Sequence, residues 1–158
     1  MNFLDCAASP DGSLSRERYF VSACLVGVRC RYDCADKRNV SVCAKVRNAL
    51  VVFECPECMG GLPVPRVPSE LEGGTGFDVV KKRARVMNEE GKDVTAAFLR
   101  GAFKVLDIVR RMGIRRAILK AGSPSCGVRT ITRNGIPVEG CGVTAALLAQ
   151  HGVELFEA

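Results

Sequence analysis

Apolar positions along the chain fall into short blocks whose spacing switches between that of strands and that of helices. Residues 19–25 form an apolar run that ends in the turn around Gly27, the pattern of a short buried strand. Residues 40–50 carry apolar positions at helical spacing, and residues 50–55 then predict a second buried strand. Residues 60–76 hold Pro63, Pro65, Pro68 and five glycines, which predicts a long loop, a kind usually functional or mobile. Residues 77–88 are rich in β-type side chains, with the best strand at 84–87 and a Glu89-Glu90-Gly91 turn behind it. Asp93 is placed to cap a helix over 94–112 that Gly113 stops. Within it Ala97, Gly101, Val105 and Ile108 recur at steps of three or four, predicting one buried stripe. Residues 116–120 predict a strand that runs directly into the turn at 123–127. A last helix over 143–151, where His151 beside Gly152 has the character of a C-terminal cap, leads to a last strand at 153–156.

This alternation of strand and helix predicts an α/β protein: a single layered domain with a mostly parallel sheet flanked by helices, Rossmann-like in outline. In such sheets the sites form at the carboxyl ends of the strands. The first 17 residues are polar and interrupted by Pro10 and Gly12, so a flexible N-terminal extension (1–17) is expected ahead of the domain proper (18–158).

Composition narrows the classes. The length suits one domain, and 47% hydrophobic with 25% charged residues is ordinary for a globular chain. A net charge of +6 would suit anionic partners, yet the Lys and Arg residues are dispersed. Two Tyr, seven Phe and no Trp leave few rings for stacking on bases, so nucleic acid is not the expected partner. No apolar run approaches the ~18 residues of a membrane span, and none follows Met1 as a secretory signal would. A cytoplasmic, reducing setting is expected.

Nine cysteines then dominate the chemistry. An odd number cannot all pair, and in a reducing compartment clustered cysteines are more often metal ligands or nucleophiles than crosslinks. Cys24, Cys55 and Cys126 each lie at or just beyond the end of a predicted strand, so three loops could meet at one sheet edge. Burial alone would also account for each, because free cysteine is among the most buried residue types. The pairs Cys30-x3-Cys34 and Cys55-x2-Cys58 have the arithmetic of a structural four-cysteine zinc site, although neither has an obvious knuckle. A cysteine nucleophile paired with His151 is a weaker alternative, and Cys6 and Cys43 look incidental.

Residues 21–33 (VSACLVGVRCRYD), 55–66 (CPECMGGLPVPR), 117–127 and 142–148 resemble, in combination, the thiouracil desulfidase (TudS-like) family, over about residues 18–156. The resemblance implies a [4Fe-4S] cluster held by Cys24, Cys55 and Cys126, with one iron left without a protein ligand. It implies an enzyme that removes sulfur from a small-molecule thiolated pyrimidine such as 2-thiouracil, giving uracil and sulfide. Glu57 would be the acid/base for water activation, and Ser123 would position the water or the base. Without the resemblance, a solvated loop carboxylate and a turn or helix cap are the commoner explanations of these two residues. Arg31 and Asp33, flanking Tyr32, and Arg66 at the close of the Pro-rich loop offer donors and acceptors to the edges of a base, while a surface ion pair is the commoner fate of Arg and Asp so close together. Ser125 joins them on the substrate side as a donor toward sulfur. Cys30, Cys34, Cys58 and Cys141 lie in the motif loops, where any could supply a fourth ligand. The segment 128–141 is compact where family members often carry a longer insert. A non-catalytic cluster-binding or sulfur-carrier protein is the remaining alternative.

Overall fold

Two apolar runs, residues 19–22 and 117–119, make the middle of a parallel sheet, as near-continuous hydrophobic strands do in α/β proteins. The computed structural model describes residues 16–158. Cys6 and nearly all of the expected flexible extension lie outside the described residues. In chain order the elements are β1 (Arg18–Ser22), α1 (Val40–Lys45), β2 (Leu50–Glu54), α2 (Pro56–Met59), β3 (Ser69–Glu72), α3 (Gly76–Val80) and β4 (Arg85–Asn88). They continue with α4 (Thr95–Arg111), β5 (Arg116–Leu119), β6 (Thr130–Arg133), β7 (Ile136–Glu139), α5 (Val143–Gln150) and β8 (Glu154–Glu157). The main sheet has the order β2-β1-β5-β8, parallel at every pairing, as expected for an α/β fold. Helices α4 and α5 supply most of the helical side of the larger core, around Phe20, Phe98, Val105, Leu119 and Leu147.

The strand at residues 50–55 is not the buried strand its composition suggests. Among the described residues strand β2 is an edge that pairs with β1 alone, and Leu50 is 41% and Phe53 49% exposed. Residues 77–80 belong to a helix rather than to a strand. Their start is fixed by a capping box, in which the backbone N–H of Thr75 donates to Asp78 Oδ2 at 3.0 Å, and this local device overrides the β-type composition. The long loop 60–76 contains β3, which pairs antiparallel with β4. The compact segment 128–141 is a hairpin of β6 and β7 turning on Asn134-Gly135, both at positive φ (51° and 73°), as a two-residue primed turn requires.

Helix α4 begins at Thr95, two residues after Asp93, whose Oδ1 accepts the Thr95 N–H at 2.9 Å. Its buried face holds Ala97, Gly101 and Val105 as expected, completed by Phe98, Ala102, Leu106 and Val109 while Ile108 stays half-buried. Helices α2 and α4 meet backbone to backbone. A Cβ on Gly101 would lie 1.8 Å from the Pro56 carbonyl oxygen, and one on Gly60 would lie 2.0 Å from that of Ala97. Glycine is therefore required at both positions. His151 Nδ1–H donates to the Leu147 carbonyl at 2.8 Å, closing the last turn of α5. Among the described residues no helix is long and apolar enough to cross a membrane.

Candidate active site at the carboxyl edge

Strands β1, β2 and β5 all end at the same edge, and each hands the chain to a segment carrying a thiol. After β1 a 3-10 turn (Ala23–Val26) holds Cys24, and Gly27 ends it at φ 97°. After β2, Cys55 is the N-cap of α2, with Pro56 in the first turn. After β5, Ser123 Oγ accepts the backbone N–H groups of Ser125 (3.1 Å) and Cys126 (3.0 Å), which shapes the turn that carries Cys126. The three thiols line one cavity of about 120 Å³, together with Cys30, Glu57, Arg31, Tyr32, Arg66, Lys120 and Ser123.

Cys126 is buried, and the hydroxyls of Ser22 and Ser125 lie close enough to its thiol to favour the thiolate. Burial pushes it up to about 12, against the lowering effect of those two hydroxyls. Cys30 is raised to about 11, chiefly by hydrogen bonding with Cys24, and it also meets Cys55. Cys55 is raised by its hydrogen bond with Cys30 and then by burial, and Cys58 goes to about 11, mostly through burial. Thiols raised in this way give up protons to a group that stabilises thiolates. The donor set is soft sulfur throughout, and Arg66 and Lys120 line the same cavity, so the residues fit a thiolate-bound metal group that carries net negative charge. Among the described residues no three His, Cys, Asp or Glu side chains are gathered tightly enough for a single metal ion. By the same token Cys30, Cys34, Cys55 and Cys58 do not assemble the four-cysteine zinc set.

The remaining expected site residues divide by place. Glu57 lines the cavity as a half-buried carboxylate, 2.7 Å from Arg66 Nε. Ser123 lines it too, and the two bonds its oxygen accepts leave the hydroxyl hydrogen for a ligand. Arg31 lies on the wall, with Asp33 behind it at 3.4 Å and outside the lining. Ser125 is buried behind Cys126, with its Oγ 2.9 Å from Thr144 Oγ1. Sequence reasoning reads Lys120 only as the end of a strand. Its position at the carboxyl end of β5 is the available signal, and burial there pushes its pKa down. Ser22 is likewise missed as the last residue of a strand, although its Oγ accepts the Lys120 N–H at 3.1 Å.

Fold and site together define an α/β protein whose sheet edge gathers thiols from three strand ends around one small cavity. Residues 20–158 match the 2-thiouracil desulfurase family, and the chain belongs to that family. It is 41% identical over 135 residues to the Bacillus subtilis (strain 168) protein YbbK, covering 84% of this chain and 89% of that protein. The solved structure of TudS, a [4Fe-4S]-dependent thiouracil desulfidase, superposes with a TM-score of 0.76 at 40% identity, covering 90% of this chain and 91% of that one.

Proposed function

We propose that this protein is an iron–sulfur-dependent desulfidase that converts thiolated pyrimidines such as 2-thiouracil to uracil and sulfide. The observation that carries the reading is the convergence of Cys24, Cys55 and Cys126 on one cavity that also holds Glu57 and Ser123. A [4Fe-4S] cluster held by these three thiols would supply an iron with no protein ligand, a Lewis acid suited to sulfur. The overall change is redox-neutral: the thiocarbonyl carbon gains the oxygen of water and loses its sulfur as sulfide.

The chain's own groups supply the rest. Glu57 takes a proton from the attacking water and returns one to the departing sulfide, the work of a positioned carboxylate. Ser123 orients that water with its free hydroxyl hydrogen. Arg31, backed by Asp33, meets the polar edge of the base, while Ser125 supports the Cys126 sulfur from behind. The small cavity favours a small molecule over a nucleic-acid strand, and a site built of reduced thiols suits a reducing cytoplasm.

The test is to purify the protein without oxygen, measure iron, sulfide and visible absorbance, then add 2-thiouracil and follow uracil. A brown protein that forms uracil is expected. A colourless preparation that cannot be reconstituted would sink the cluster reading, and a loaded protein without turnover would leave only the carrier alternative.

A further inference from the structure

The Pro-rich loop after α2 returns a single guanidinium into the site. The Arg66 side chain is only 7% exposed, and it reaches separate segments of the cavity wall. Its Nε donates to Glu57 Oε2 at 2.7 Å. Its Nη1 donates to the carbonyls of Cys30 at 2.9 Å and Pro63 at 3.2 Å, and approaches Cys58 Sγ at 3.8 Å. Its Nη2 approaches Cys55 Sγ at 3.9 Å. The Arg66 backbone N–H donates to the Tyr32 carbonyl at 3.0 Å, so main chain and side chain tie the loop to the same stretch of wall. A surface ion pair would leave its spare donors to water. Here they go to carbonyls and sulfur.

We propose that Arg66 is the positioning residue of this site, one planar fork that fixes the Glu57 carboxylate relative to the Cys55 sulfur and the Cys30 carbonyl. The proposal rests on the reading above, in which Glu57 is the acid/base and Cys55 a metal ligand. The geometry needs arginine specifically. Lysine supplies the charge but only a compact head, which cannot hold a carboxylate on one side and sulfur on the other. Two consequences separate this role from simple support of the fold. Displacing a reacting group by about 1 Å can cost on the order of 10²-fold in rate without weakening substrate binding. A donor removed from a ligand sulfur also makes a cluster harder to reduce.

The test uses the cluster-loaded full chain, with Arg66→Lys, Arg66→Gln, Glu57→Gln and the double variant Arg66→Lys/Glu57→Gln. Arg66→Lys is expected to lower kcat on the order of 10²-fold with KM little changed. The double variant should be no slower than Glu57→Gln alone, because the two residues act as one unit. Independently of turnover, the cluster midpoint potential of Arg66→Gln should move negative at unchanged iron content. Wild-type kcat in Arg66→Lys, losses that multiply in the double variant, or an unmoved potential would overturn the proposal. So would iron loss that accounts for the lost activity in both Arg66 variants, since Arg66 would then only support the fold. Wild-type turnover in Glu57→Gln would instead remove the acid/base reading itself, a result distinct from a slow Glu57→Gln beside an unaffected Arg66→Lys.

Discussion

Cys126 is the least exposed of the cavity's cysteines, with the hydroxyls of Ser22 and Ser125 near its sulfur, whereas Glu57 keeps more of its side chain toward the cavity. The difference predicts different failures. Cys126→Ser should lose bound iron, measured by metal analysis after anaerobic reconstitution, while Cys43→Ser should keep it, because Cys43 lies outside the cavity and its Sγ is 3.9 Å from the Leu25 carbonyl. Glu57→Gln should retain iron and lose about 10²- to 10⁴-fold in kcat, the range of a general acid/base group. At this scale the sequence is most informative where a residue's place depends on its own strand. Cys24, Cys55 and Cys126 stand at strand ends, and strand ends share an edge. Arg66 and Lys120 are harder to place, because their importance depends on what lies opposite them once distant segments have met. Asp33 shows the converse: its neighbour Arg31 reaches the wall, but its own carboxylate accepts the Ala35 N–H at 3.1 Å in the turn behind.

Among the elements, α4 does more than cover the sheet. Its Gly101 admits α2 so closely that Gly101→Ala should force the two helices apart, a crowding that costs about 1–3 kcal/mol. Chemical denaturation should show the loss of stability, and the displaced α2 should lower iron occupancy at Cys55. The β6–β7 hairpin is fastened differently. Glu157 Oε1 accepts the N–H groups of Val128 (2.9 Å), Arg129 (2.9 Å) and Thr130 (3.1 Å). Burial alone would raise its pKa, but the donors at Arg129, Thr130 and Val128 prevail and lower it. A carboxylate depressed on folding adds stability that is complete above its ordinary pKa of 4.5 and fades as pH falls through the folded value. Glu157→Gln should therefore melt below wild type at neutral pH, with the gap narrowing in acid. Helices and strands with strong periodicity are legible in the sequence. The helix at residues 76–80 is not, because a capping box outweighs side-chain propensity, and neither is the hairpin, whose Asn134-Gly135 signal sits in a stretch with weak alternation.

For the molecule as a whole, the parallel order β2-β1-β5-β8 is what turns three distant cysteines into neighbours. Metal taken up at such a site binds the folded chain and has no preformed counterpart in the unfolded one, so loading should raise the melting temperature. The expected shift is clear in wild type and absent in Cys126→Ser, by calorimetry of loaded and metal-free protein. Two of the three thiols are rooted in the interior of the sheet. The third follows the rim, since among the described residues β2 pairs with β1 alone. Stiffness around the cavity is therefore lopsided, and the Cys55 side owes its firmness to a brace from behind, where α4 meets α2. Amides of β2 should exchange with solvent before those of β1 and β5. In the proposed site, assembly and decay of the metal centre would share this softer side, and the helix that braces it carries none of the three thiols.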